Sequence, residues 1–185
     1  MSAVCESTVS PRTIWPVSAG EFKGGMRRLA GAVCILTVQK GPVRAGLTAT
    51  AVVSVSAEPP RLMACVNRNV YAHELIEVGG PLCVNVLSAQ QLDHAQRFAG
   101  MIDGVQGDER FLYSAWSEGE TGAQVLADAL VAFECRVTEV IRAASHSMVL
   151  CEVVKVQLPG QAESGDGTGQ PLVYFDGRFA SLGEL

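Results

Sequence analysis

The sequence lacks most of the signatures that mark the commoner binding and catalytic classes. It has no block of basic residues: 14 Lys and Arg stand against 19 Asp and Glu, a net charge of −5. That balance argues against nucleic acid or an anionic membrane as the main partner. No apolar run approaches the roughly 18 residues that span a bilayer, and the first 20 residues carry neither the charged n-region nor the apolar h-region of a secretory signal. A cytoplasmic protein is expected. The cysteines, Cys5, Cys34, Cys65, Cys83, Cys135 and Cys151, never fall within four residues of one another, so zinc-type spacing is absent. They read as reduced thiols, most of them buried in apolar runs. His73, His94 and His146 are scattered, and no metal site is expected. Gly165-Asp166-Gly167-Thr168-Gly169 is glycine-rich, but it neither follows a strand nor opens a helix, so it is no dinucleotide fingerprint. A Walker loop, a G-x-S-x-G elbow and an internal repeat are also missing.

What is present is a globular composition, 48% apolar and 18% charged over 185 residues, enough for one domain with a substantial core. Residues 1–19 are rich in Ser, Pro and Thr and read as a mobile arm; residues 20–185 read as a single domain. The stretch Gly46–Arg68 organises the rest. It holds two β-prone runs separated by Glu58-Pro59-Pro60, and a double proline cannot continue a sheet ladder. Strands are expected at Ala32–Gln39, Gly46–Ser56, Leu62–Asn67, Leu82–Leu87, Leu130–Val140, Met148–Val156 and Leu172–Phe175.

In the Leu130–Val140 strand, Val131, Phe133, Cys135 and Val137 point one way and Ala132, Glu134, Arg136 and Thr138 the other. A turn over Arg142–Ser147 links it to the next strand. Short helices are expected at Glu21–Ala30, with Phe22, Met26 and Leu29 on its apolar face, and at His73–Val78. A third, Ala89–Ala99, is opened by a Ser88/Gln91 capping box, with Leu92, Ala95 and Phe98 inward. Many strands without regular βαβ alternation predict a mostly-β fold, a closed or nearly closed antiparallel barrel.

Several places invite chemistry, each beside a plainer reading. The small residues from Thr48 to Ser54 would let a flat ligand lie on strand backbone; they also suit an ordinary core hairpin. The loop Asn67–Ala72 feeds a helix N-terminus, where free N–H groups favour phosphate and Arg68 adds charge; it also suits a simple cap. His146 sits in a turn, where histidine is commonly just exposed. The tail Tyr174–Phe179, with Arg178, either stacks on a flat ligand or ends a strand under the barrel. The glycine-rich, acidic loop Gly100–Glu109 reads as a lid or binding element.

Taken in order, F-x-x-x-M-x-x-L-A-G-A-V, G-L-T-A-T-A-V-V-S-V-S-x-x-P-P, H-E-L-I, C-V-N-V-L-x-x-x-Q, R-F-A, A-L-V-x-F-E-C-R-V, S-H-S and P-L-V-Y-F-D-G-R-F resemble the short-chain flavin reductases. These are the small components of two-component flavin monooxygenases acting on phenols, chlorophenols or hydroxyphenylacetate, together with the reductase of pyrimidine catabolism. The resemblance covers about Phe22 to Leu182. It implies a split β-barrel, a homodimer, and hydride transfer from NADH to FAD, or to FMN, which then leaves for a separate monooxygenase. It implies that the isoalloxazine lies against Thr48, Ala49, Thr50 and Ala51 and meets Ala64, Cys65 and Val66. The flavin phosphate falls near Ser54, Val55 and Ser56 and the loop from Arg68 and Asn69 to His73. That loop departs from the family pattern, having Asn69, Val70, Tyr71 and Ala72 where Ser or Thr is common, so backbone N–H groups would carry the phosphate. The family's turn histidine matches His146, implying a nicotinamide contact, and Arg178 is a second such candidate. An FMN reductase of the pyrimidine or general type, a non-catalytic flavin-binding barrel and a barrel without cofactor are the rival readings.

Overall fold

The computed structural model describes residues 16–158 and 169–182. Helix α1 (Ala19–Met26) begins inside the expected arm, because Ser18 caps it: Ser18 N–H donates to Glu21 Oε2 at 3.0 Å and Glu21 N–H donates back to Ser18 Oγ at 3.2 Å. The rest of the arm, residues 1–15, and residues 159–168, with most of the Gly165–Gly169 motif, lie outside the described residues. The apolar face expected on α1 is not buried. Phe22, Met26 and Leu29 are 62%, 48% and 64% exposed, because the helix ends at Met26 and stands off the barrel.

The decisive departure from expectation lies in the Gly46–Ser56 run. Strands β1 (Gly31–Ala32) and β2 (Cys34–Lys40) lead through Gly41, at φ +57°, into β3 (Val43–Ala49). The ladder then breaks at Thr50-Ala51, and β4 (Val52–Ala57) follows as a separate strand. After the prolines come β5 (Pro60–Asn67) and then α2 (Tyr71–Glu74), a single turn in place of the expected His73–Val78 helix, and β6 (Pro81–Val86). A 3-10 turn at Ala89–Gln91 opens α3 (Leu92–Phe98) where the Ser88/Gln91 box was expected, Ser88 N–H donating to Gln91 Oε1 at 2.8 Å. Ala95 and Phe98 face inward, but Leu92 is 38% exposed.

A short hairpin that the periodicity did not foresee, β7 (Trp116–Glu118) and β8 (Gln124–Leu126), precedes the long antiparallel pair β9 (Val131–Ala143) and β10 (His146–Gln157). Strands β11 (Leu172–Phe175) and β12 (Arg178–Ser181) join β1 in a separate three-stranded sheet, turned by Asp176 at φ +50° and Gly177 at φ +81°.

The main sheet has seven strands in the order β3-β2-β6-β9-β10-β5-β4, so its two edges are consecutive in the chain. Only Thr50 and Ala51 connect them. Three Cα steps, from Ala49 to Val52, reach at most roughly 10 Å, so the sheet must curl until its edges almost meet. Cys65 N–H donates to Ala51 O at 2.9 Å, carrying the β4–β5 ladder up to the break. The result is a split β-barrel, as expected.

Strand alternation fills it: Leu36, Val38, Leu47, Ala64, Val66, Leu82, Val84, Val137 and Val149 form the interior. A second core, with Ile35, Leu87, Phe98, Phe111, Leu126 and Leu172, lies on the outer face under α3. Burial raises the Cys34 and Cys151 thiols to about 12 and pushes Cys83 and Cys135 upward as well.

The unforeseen hairpin explains why the outward face of β9 is not polar surface. Ala132 and Glu134 are both buried beneath it. Glu134 has no exposed surface; it accepts from Thr121 N–H at 3.1 Å and from Gln157 Nε2 at 2.6 Å. This arrangement requires glycine at position 119, where a Cβ would lie 2.3 Å from Glu134 Oε2 and 2.9 Å from Val125 Cγ2. Gly119→Ala is expected to destabilise by about 2 kcal/mol, lowering the melting temperature by about 4–8 °C. A variant that melts with the parent would mean that the Glu134 carboxylate is not held in place.

Candidate active site

The barrel split is also where the chemistry-bearing residues converge. Strand β10 begins at His146, because the turn before it contains only Ala144, at φ +49°, and Ser145. His146 therefore leaves the expected turn and stands directly opposite Asn67 of β5. It is exposed, with Nδ1 2.9 Å from Ser145 Oγ. Asn67 and Cys65 share the outer face of β5, next to Thr50-Ala51.

Together with Leu47, Thr48, Ala49, Val70, Phe98 and Ala99, these residues line a cleft of about 300 Å³. Its floor is small and flat. Thr50 and Ala51 are exposed, and their N–H groups have no hydrogen-bond partner among the described residues. Both residues line the cleft, so these donors are available to a ligand with acceptor atoms.

The cleft has a neighbour at each end. A cavity of about 560 Å³, walled by the Gly100–Gly107 loop, shares Leu47, Val70, Phe98 and Ala99 with it. A mostly apolar pocket of about 420 Å³, with Met26, Leu29 and Tyr174, shares Thr50 and Ala51. The three form one continuous groove across the split.

The structure thus brings Thr48, Ala49, Thr50, Ala51, Cys65 and His146 around one space. The Thr48 hydroxyl is already committed, donating to Ala95 O at 2.7 Å and tying α3 to the barrel. Other expectations need correction. Ala64 and Val66 have no exposed surface, because strand alternation turns them into the barrel while Cys65 between them turns out. Cys65 is half-buried, not a core thiol. Ser54, Val55 and Ser56 lie on the edge strand beyond the split and line none of the three cavities; the Ser56 hydroxyl donates to Pro59 O at 2.6 Å.

Arg68 braces the turn before His146, Asn69 is tied to its own loop, and neither lines the cleft. Arg68 N–H donates to Ser145 O at 2.9 Å and its Nη1 to Ala144 O at 3.2 Å, while Asn69 N–H donates to Asn67 Oδ1 at 2.9 Å. His73 is turned beneath the loop, its Nε2 2.9 Å from the Oγ of fully buried Ser147. Burial, then the Arg68 and Arg142 charges, hold its pKa below the ordinary histidine value. Helix α2 is a single turn, Tyr71–Glu74, so the helix end expected before His73 lies at Val70 instead. Arg178 is exposed on β12 and lines none of the three cavities.

Phe98 and Ala99 of the cleft escaped the sequence reading, although the R-F-A run that holds them was noticed without being given a role. Asn67 was noticed only as the start of a loop, because its place in the cleft comes from pairing with His146 across 79 residues of sequence.

Comparison with known proteins places this geometry. The family model "Flavin reductase like domain" matches residues 26–183. The protein "FMN reductase (NADH) RutF" of Variovorax paradoxus is 37% identical over 183 residues, 98% of this chain and 96% of that one. The "4-hydroxyphenylacetate 3-monooxygenase reductase component" of Pseudomonas aeruginosa is 40% identical over 161 residues, 87% of this chain and 90% of that one. The crystal structure of a flavin reductase domain protein from Arthrobacter superposes with a TM-score of 0.76 at 28% identity, covering 90% of this chain and 96% of that one.

Proposed function

The chain belongs to the flavin reductase-like domain family, and from that membership we propose that it transfers hydride from NADH to a diffusible flavin for use by a separate monooxygenase. One observation supports the reading most: the split leaves two unpaired backbone N–H groups on a floor of small residues, with His146 and Phe98 as walls. The residues fit the group. An isoalloxazine is flat and carries carbonyl oxygens, and it needs a flat floor with donors more than it needs an acid or base. Bound there, flavin and nicotinamide supply the chemistry between them, a hydride leaving C4 of NADH for N5 of the flavin.

The protein's part is placement. The N–H groups of Thr50 and Ala51 hold ring carbonyls and favour the electron density gained on reduction. The Thr48–Ala95 bond keeps α3 against the floor, so Phe98 and Ala99 keep water out. His146, braced by the Arg68 contacts, orients the nicotinamide. Replacing it by alanine is expected to slow hydride transfer roughly tenfold, the value of a lost hydrogen bond or two, while flavin affinity changes less than twofold. Stopped-flow reduction and a flavin titration check this, and unchanged reduction kinetics would remove His146 from the mechanism.

FAD as the preferred flavin and an aromatic hydroxylase as the recipient belong to this reading; the Pseudomonas relative's name supports the latter. FMN as the physiological flavin is the second reading, favoured by the name of the Variovorax relative. A homodimer in the cytoplasm completes the proposal, with Phe22, Leu29, Val53 and Val55 as exposed apolar surface for a second copy. The test is NADH oxidation under air with FAD, FMN or no flavin added. Turnover that requires free flavin supports the reductase, and the ratio of the two rates chooses the flavin. Tight flavin binding without NADH or NADPH turnover would leave a non-catalytic barrel.

A further inference from the structure

The barrel split also gathers soft metal donors. Cys65 is half-buried, whereas Cys34, Cys83, Cys135 and Cys151 are buried. Each of those four donates its S–H within the fold, to Ala32 O, Asn85 Oδ1, Phe133 O and Val149 O in turn. No such bond holds the Cys65 thiol among the described residues. Strand register sets two further donors beside it. Met148 of β10 stands directly opposite Cys65 of β5, and His146, two residues before Met148, is diagonal to Cys65 on the same face. Directly opposed side chains have Cβ atoms roughly 5 Å apart and diagonal ones roughly 7 Å, distances that a flexible methionine and an imidazole can close on one ion. Met148 is half-buried, and alternation turns Ser147 and Val149 on either side of it into the barrel. His146 Nδ1 lies 2.9 Å from Ser145 Oγ, and its Nε2 has no partner among the described residues.

The donor set selects its ion by chemistry. Thiolate and thioether sulfurs favour Cu(I), whereas Zn(II), Mg(II) and Ca(II) take larger sets of thiolate, imidazole or oxygen ligands. Among the described residues no three His, Cys, Asp or Glu side chains gather to hold a metal. Harder ions therefore lack a site here, and the thioether of Met148 is what completes one. We propose that Cys65, Met148 and His146 form a three-coordinate Cu(I) site in the wall of the cleft, and that the ion and the flavin ring exclude each other. As the bond from Cys65 Sγ to copper forms, the thiol proton leaves to solvent; the copper stays Cu(I), and nothing is oxidised or reduced. Cys65 and His146 both line the cleft, so an ion held between them occupies space over the floor beside Ala51, whose carbonyl accepts from Cys65 N–H at 2.9 Å. The exclusion rests on the flavin reductase reading; the metal site does not.

Anaerobic titration against a chromophoric Cu(I) chelator tests the site without turnover. The chain is expected to take one Cu(I) from the chelator, and saturating FMN to weaken that binding about tenfold. Met148→Leu, which keeps the side-chain volume, leaves the rate of FMN bleaching by NADH within about twofold. The same variant weakens Cu(I) binding at least about tenfold, since even outer-shell partners of a metal matter that much. Cys65→Ser abolishes the binding, and Cys5→Ser, outside the described residues, leaves it intact. Failure to draw Cu(I) from the chelator overturns the proposal. So does binding that Met148→Leu leaves unchanged, which would be that of a lone thiol, or binding lost in Cys5→Ser. Cu(I) and FMN bound together, neither weakening the other, overturn the exclusion. Absence of FMN bleaching by NADH alongside Cu(I) binding that needs Met148 would sink the reductase reading alone.

Discussion

Replacing Ala51 by tryptophan is expected to lower flavin-dependent NADH oxidation about 100-fold, the scale on which a misplacement of about 1 Å slows a positioned reaction. Ala51 lies in both the cleft and the apolar pocket beside it, so an indole there covers the floor where the two cavities join. The fold has little reason to object. The Ala51 side chain is exposed, and its structural contact is a backbone one, the carbonyl accepting from Cys65 N–H at 2.9 Å. The melting temperature should therefore stay within about 2 °C, as for an exposed substitution worth less than about 0.5 kcal/mol. Steady-state assays with thermal denaturation separate the two effects. Full activity in a well-folded variant would move the reacting rings away from the split.

The second large effect is on stability and comes from Gly46→Val. A Cβ at position 46 would lie 2.6 and 2.8 Å from two Phe98 ring carbons and 3.1 Å from Leu36 O. Neither neighbour can yield easily. Leu36 O belongs to the β2 backbone paired with β3. Phe98 is 2% exposed and packs edge-on to Phe111, with centroids 5.0 Å apart, and against Trp116 at 5.5 Å. Overpacking of this kind costs about 3 kcal/mol, or about 6–12 °C of melting temperature. Because Phe98 lines both the cleft and the larger cavity walled by the Gly100–Gly107 loop, flavin affinity should fall with stability. A valine variant that melts with the parent would show that the Phe98 ring can swing aside.

Much of the architecture was legible along the chain, because local signals carried it. Glu58-Pro59-Pro60 separated β4 from β5, the Ser88/Gln91 box opened its helix, and the alternation of β9 marked its barrel-facing positions. Misreadings arose where a local signal meets a distant partner. The alternation of β9 put Glu134 on the face opposite Val131, Phe133, Cys135 and Val137 but did not show that this face is covered; Glu134 is fully buried, because the hairpin over it comes from residues 116–126. The apolar face of α1 was legible, yet its Phe22, Met26 and Leu29 are exposed. His146 read as a turn residue, since a two-residue turn and a longer one look alike in sequence.

The amino-acid sequence by itself determined the strand content, the antiparallel barrel class and, through an ordered series of motifs, the family. Each depends on periodicity and turn chemistry, which act over a few residues. Only the tertiary structure decided that Gly46–Ser56 is two strands forming opposite edges of one curled sheet. Only it decided that Cys65 faces the cleft while Ala64 and Val66 face the core, and that Arg44 and Arg110, 66 residues apart, line one cavity. Those outcomes depend on barrel closure, a condition on the whole sheet that no local window contains.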